Sequence, residues 1–183
     1  MGEKKALKIA TAAVLTALGV VLAPFLWFPV LGSKAYPGQH LVNAMAGVLL
    51  GPWWASLIAF FIGVIRMSLG IGTIYSIPGG IPGALVVGLV HSFLKKTRLK
   101  NSAEIASLLE PIGTVLIGGT LALLIFAPAL QDPKMLAKLE EGAVAGLLAI
   151  WTGWAISSVP GAIIGFIVLK ILKKIGVTSS VFE

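Results

Sequence analysis

Lys34, Tyr36, Gln39, His40 and Asn43 crowd into one short polar interval of an otherwise apolar chain, inside the stretch GSKAYPGQHLVNAMAGVLLGPWW at 32–54. Gln39, His40 and Asn43 stand at i, i+1 and i+4, on one side of a helix. Amides and an imidazole at that spacing suit hydrogen bonding to a ligand or to a neighbouring helix. Hydrolysis would need more: a nucleophile beside a base, or a cluster of metal ligands. The second histidine, His91, is expected at the opposite face, and no HExxH or Ser-His arrangement stands out. The chain has no cysteine, which removes thiol catalysis, disulfides and Cys-based metal sites. A Walker A sequence is missing as well. A proton-driven carrier normally buries an acid or a histidine at mid-membrane. Glu110 is the candidate, and we read it as an interfacial carboxylate about one turn inside the cytoplasmic end of its helix. The chain is therefore expected to be no enzyme and no self-powered pump, with no cofactor and no metal.

The elements that must position these residues follow from composition. With 57% hydrophobic and 11% charged residues the chain is too apolar for a soluble domain, and its long uncharged runs imply transmembrane helices. Residues 1–183 are expected to form one small membrane domain, without a second, soluble one. The net charge of +7 lies in short clusters beside apolar runs. That is the pattern of the positive-inside rule and not of a nucleic-acid surface. Six helices are expected at 6–24, 38–50, 53–70, 78–94, 107–127 and 143–170. The second is too short to span fully, and Pro160 is expected to kink the sixth. Residues 1–24 resemble a signal peptide, but their apolar run is too long for one and further spans follow, so they read as a retained first helix. The runs are too long and too uniform for a β-barrel.

Lys4, Lys5 and Lys8, then Lys95, Lys96, Arg98 and Lys100, then Lys170, Lys173 and Lys174 all fall on one side if there are six spans. That side is the cytoplasm, with both termini in it and the protein multi-pass in the cell membrane. The expected fold is an all-α integral membrane bundle of six transmembrane helices, with a short second helix and a structured outer first loop. Irregular backbone at membrane depth is tolerated only against protein or a water-filled cavity. Lys34 and Tyr36 are thus expected in the wall or lid of an outward-facing pocket.

Trp151, Trp154 and Ser158 share about one face of the sixth helix, near the expected depth of Asn43. The tryptophans read either as stacking surface for a ligand or as part of an interfacial belt. Trp53 and Trp54 look like that belt. Asn43 reads as a ligand contact or as a bond between helices, since an unpaired amide there is costly. Tyr75 and Ser76 lead into PGGIPGAL at 78–85, which reads as a helix start open to a ligand's polar group or as close helix packing. Arg66 is expected to pair with Glu140 or Glu141, or to snorkel to the interface, in preference to binding an anion. Ala6/Ala10, Ala13/Ala17 and Gly161/Gly165 are small-xxx-small pairs. The glycine pair is expected to pack within the bundle, whereas the alanine face of the first helix, with Ala10, Ala13 and Ala17, suits a partner protein.

Six helices, an alanine-rich first helix and a polar outer loop together resemble the S components of energy-coupling factor (ECF) vitamin transporters. The 32–54 stretch, the Arg66 region and PGGIPGAL are similar to the ThiW branch, linked to uptake of the thiazole precursor of thiamine, hydroxyethylthiazole. The resemblance covers essentially the whole chain. It implies a subunit that binds substrate at its outer side and docks through an Ala-xxx-Ala face, matched here by Ala13 and Ala17. It would dock onto a transmembrane coupling subunit served by two cytoplasmic ATPases. From depth and chemistry, Gln39, His40, Asn43, Tyr75, Trp151, Trp154 and Ser158 are the expected substrate contacts. A small neutral aromatic alcohol would want a stacking surface and two or three hydrogen bonds. The alternative is a self-contained small-solute carrier or channel.

Overall fold

The computed structural model describes residues 2–30, 33–140 and 142–183, with backbone alone at Val30, Ser33 and Lys34. Helix α1 (Gly2–Val21) leads into a small antiparallel ribbon of β1 (Phe28–Val30) and β2 (Ser33–Ala35), with Phe28 opposite Ala35. Then come α2 (Pro37–Leu50), α3 (Pro52–Ser68) and α4 (Ser76–Leu94). Helix α5 runs over Lys100–Leu130, α6 over Pro133–Glu140 and α7 over Ala143–Lys174. Of the six expected spans, α4, α5 and α7 are long and apolar enough to cross a membrane, and α3 is a shorter apolar helix. Helix α1 carries Lys4, Lys5 and Lys8 in its first turns, and α2 has only 14 residues. At 1.5 Å per residue α2 reaches about 21 Å, well short of a hydrocarbon core of about 30 Å.

Short as it is, α2 is the axis of the bundle. Every residue in it except His40 is buried, so its neighbours must be small where they touch it. Gly161 and Gly165 of α7 lie against His40 and Ala44, and Gly47 of α2 lies against Val87 of α4. The glycine pair of α7 thus serves packing inside the bundle. Pro37 starts α2 with its pre-set φ and no N–H to satisfy, and Gly51 at φ +85° turns the chain straight into α3.

Helix α5 departs furthest from expectation. It begins at Lys100, not 107, because its first ten residues are wound as a 3-10 helix, with Ser102 off helical geometry. The polar run KNSAE hides that start from any hydropathy reading. Pro111 has no N–H to return to Ser107, and beyond it the winding widens to π-helical over Ile112–Gly118. Here α5 crosses α4 so closely that a Cβ on Gly113 would overlap the Pro82 carbonyl. A Cβ on Gly83 would overlap the side chains of Glu110 and Thr114. Helix α7 continues through Pro160 to Lys174.

At the end of the bundle away from the ribbon, Lys95, Lys100 and Lys173 line one cleft of about 240 Å³ with His91 and Glu104. Two of the basic clusters therefore share an end, and His91 lies far from His40, as the sequence suggested.

Candidate functional site

Glu110 is the centre of the molecule's polar interior. Ten residues of α5, broken at Ser102, precede it and carry it inside the bundle. Its exposure is 0%. The expected interfacial position is thus corrected: an unforeseen helix start places the carboxylate deep among α2, α4, α5 and α7. His40, partly buried, is brought against it, so the structure pairs a buried acid with a histidine.

A buried carboxylate is costly unless its oxygens are satisfied, and these are. Oε1 lies 2.9 Å from His40 Nδ1 and accepts from Asn43 Nδ2 at 3.0 Å and from Thr114 Oγ1 at 2.6 Å. Ser158 Oγ donates to Oε2. The PGGIPGAL segment supplies carbonyls around this centre: Asn43 Nδ2 also faces Gly80 O at 3.2 Å, and Thr114 Oγ1 faces Gly79 O at 3.0 Å. Those glycines are close-packing positions, since a Cβ on Gly80 would meet Gln39 and one on Gly79 would meet the Trp154 ring. Asn43 is fully buried, and with its Nδ2 committed to two acceptors its Oδ1 has no partner. A buried acceptor left bare costs about 1–3 kcal/mol.

A second polar site lies toward the ribbon. Arg66, 3% exposed, neither snorkels nor pairs with Glu140, which is a correction; Glu141 is outside the described residues. Its Nη1 donates to Gln39 Oε1 at 2.5 Å, and Gln39 Nε2 donates to Ser76 O at 3.2 Å. Its Nη2 reaches Ile71 O at only 3.4 Å, and Nε has no partner. The Tyr36 ring covers the guanidinium with its centroid 4.5 Å from Cζ. Ser157 Oγ, 2.8 Å away, accepts the Tyr36 backbone N–H and so pins this cover to α7. The side chain of Lys34 lies outside the described residues.

The sequence-derived set thus divides. His40, Asn43 and Ser158 converge on Glu110, Gln39 belongs to the Arg66 site, and Trp154 packs against Gly79. Trp151 instead donates from Nε1 to Thr120 Oγ1 at 3.2 Å, a bond between α7 and α5. Tyr75 stands apart, its hydroxyl donating to Asp132 Oδ2 at 2.8 Å and tying the α3–α4 loop to the turn after α5. Burial, then that bond, pushes the Tyr75 phenol up to about 12, while the same bond holds the Asp132 carboxyl below its ordinary value. Glu110, Thr114 and Ser157 join these two polar clusters without having been among the expected contacts. The i, i+4 spacing of Glu110 and Thr114 was the available signal, masked by the misplaced helix start.

Ala10, Ala13 and Ala17 are exposed on α1. Ala13 and Ala17 line an apolar groove of about 580 Å³ between α1 and α3, with Thr16, Trp54 and Phe61. Comparison with curated proteins and with solved structures gave no match. A family model described as thiamine-precursor transporter protein (ThiW) matches residues 9–175. That match spans nearly the whole chain, and it is a match to a family of transporters and not of enzymes: the chain belongs to the ThiW family of thiamine-precursor transporter proteins.

Proposed function

We propose that the chain is the substrate-binding subunit of an ECF-type importer in the cell membrane, with both termini cytoplasmic. It takes hydroxyethylthiazole from the ribbon side, which is the outer side in this reading. The observation that carries the site is Asn43 Oδ1, a bare buried acceptor beside a fully engaged carboxylate. The hydroxyl of a thiazole alcohol is a donor of the right kind for it. His40, Glu110 and Ser158 fix that amide, and Trp154 offers the flat surface for the ring. Tyr36, with Lys34 beside it, acts as the lid. Clustering of Lys95, Lys100 and Lys173 at the other end supports the orientation. The groove at Ala13 and Ala17 supports docking to a transmembrane coupling subunit, with two ATPases supplying the energy.

Tryptophan fluorescence of the detergent-purified protein, titrated in parallel with hydroxyethylthiazole, the aminopyrimidine precursor and thiamine, tests the substrate. Saturable binding of the thiazole alone is the expected result; a response only to another compound overturns it. Asn43→Ala should weaken that binding by about 1–3 kcal/mol, the scale of one buried hydrogen bond.

The pairing of His40 with buried Glu110 favours a second reading, a self-contained proton-coupled carrier. Such a carrier accumulates thiazole in vesicles holding this chain alone when a proton gradient is imposed. An S component binds it there without concentrating it.

A further inference from the structure

We propose that the Nε/Nη2 edge of Arg66 is a subsite for one anionic oxygen group of the cargo, a carboxylate or a phosphate monoester. The inference rests on the thiazole reading and narrows it to acidic derivatives of the thiazole alcohol over the alcohol itself.

The two buried charges of the site are treated very differently. Both oxygens of Glu110 are occupied by donors. Arg66 is nearly as buried, yet it forms no ion pair among the described residues. A buried cation without a counter-ion is costly, and the cost persists only where something else requires it. The pattern of its bonds says where the missing partner belongs. Gln39 holds Nη1, the nitrogen on the far side of the guanidinium. The Nε and Nη2 hydrogens point the same way along the opposite edge. That edge carries one bare donor and one bond of 3.4 Å. Two parallel N–H groups on a rigid plane are the fork that accepts two oxygens of a carboxylate or phosphate.

The covering of this edge also suits a site that opens. Tyr36, on the chain just after the ribbon, lies over the guanidinium face. The α3–α4 loop wraps it, with Gly72 against the Arg66 side chain and Ile71 N–H on the Arg66 carbonyl. Neither cover is a helix, so opening the site would break the Tyr36 N–H bond to Ser157 and not the helix packing. One guanidinium matches a single anionic group; a pyrophosphate would demand further cations.

The test compares hydroxyethylthiazole with its phosphate monoester and with the corresponding thiazole carboxylate, by calorimetry on the intact protein, wild type, R66Q and R66K. In the wild type we expect at least one acid to bind tenfold or more tightly than the alcohol, and which acid it is identifies the source of the oxygens. R66Q should erase that preference and leave the alcohol within a few fold. R66K keeps the charge without the fork, so it should retain only part of the preference. It decides the matter if R66Q fails to elute as a folded protein. An alcohol that binds as tightly as both acids overturns the subsite and leaves the thiazole reading intact. Equal loss of all three ligands in a folded R66Q also overturns it. An Arg66-dependent preference for phosphorylated aminopyrimidine, with no thiazole bound, would uphold the subsite and overturn the thiazole reading. Silence toward every anion overturns the subsite.

Discussion

Glu104 and Glu110 stand six positions apart on α5 and are solved by opposite means. Glu104 sits at the basic end, where Lys170 and Lys173 approach its Oε1 at 3.1 and 3.0 Å. Both lysines reach it on long flexible stems and remain 48% and 39% exposed. Glu110 is shut away from solvent, and its partners are short side chains fixed on three helices: His40 and Asn43, Thr114, and Ser158. Glu104 is buried as well, but its counter-charges reach in from a solvated end and can follow it. In a dry interior each oxygen needs a donor already in place, so the surrounding helices must be held to fit it.

Removing the central carboxylate should break that contrast most severely. Glu110→Ala takes the shared acceptor from buried Asn43, Thr114 and Ser158 and from partly buried His40, and should cost about 3–5 kcal/mol, seen as a large fall in thermal stability in detergent. A loss no greater than that of Glu104→Ala would mean the two sites are equivalent after all. Ser158→Ala removes a single donor to the carboxylate and should cost about 1.5–3 kcal/mol in the same assay. Glu104→Ala should cost less, about 1 kcal/mol: Glu104 is itself buried, but its lysine partners are well solvated and regain water when it is removed.

Tyr75 and Asp132 sharpen the comparison from outside the helices, with the smallest effect on stability. The Tyr75 bond is fully present below the phenol's ordinary value of 10.0 and is lost as pH rises through about 12. For Asp132, held low by the same bond, the contribution is lost as pH falls through its lowered value. The chain has two tyrosines, so Tyr36→Phe isolates Tyr75 for ultraviolet titration. Its phenol should ionise near 12, and adding Asp132→Asn should bring it back toward 10.

Much of the architecture was legible because a helix in a membrane declares itself by length and apolarity. The starts of α3 and α4 and the brevity of α2 could be read from runs bounded by Gly51-Pro52 and by PGGIPGAL. The start of α5 could not, because KNSAE is polar and its 3-10 winding obeys no hydropathy rule. That one displacement moved Glu110 from a rim to the centre and hid its partnership with His40. Arg66 was misjudged for a related reason. Sequence shows a cation near a helix end, but whether it reaches water depends on what folds over it, here Tyr36 and the 69–75 loop.

By itself, then, the sequence determined the membrane class, the family and the face shared by Gln39, His40 and Asn43, since each depends on local composition, motif and helical period. Tertiary structure alone decided which acid that face would meet and which cation would go without one. Those outcomes depend on how closely helices far apart in the chain approach: small residues at Gly83 and Gly161 mark close-packing faces in the sequence, but which helix each one meets, and that Gly113 meets Pro82, is settled only by the fold.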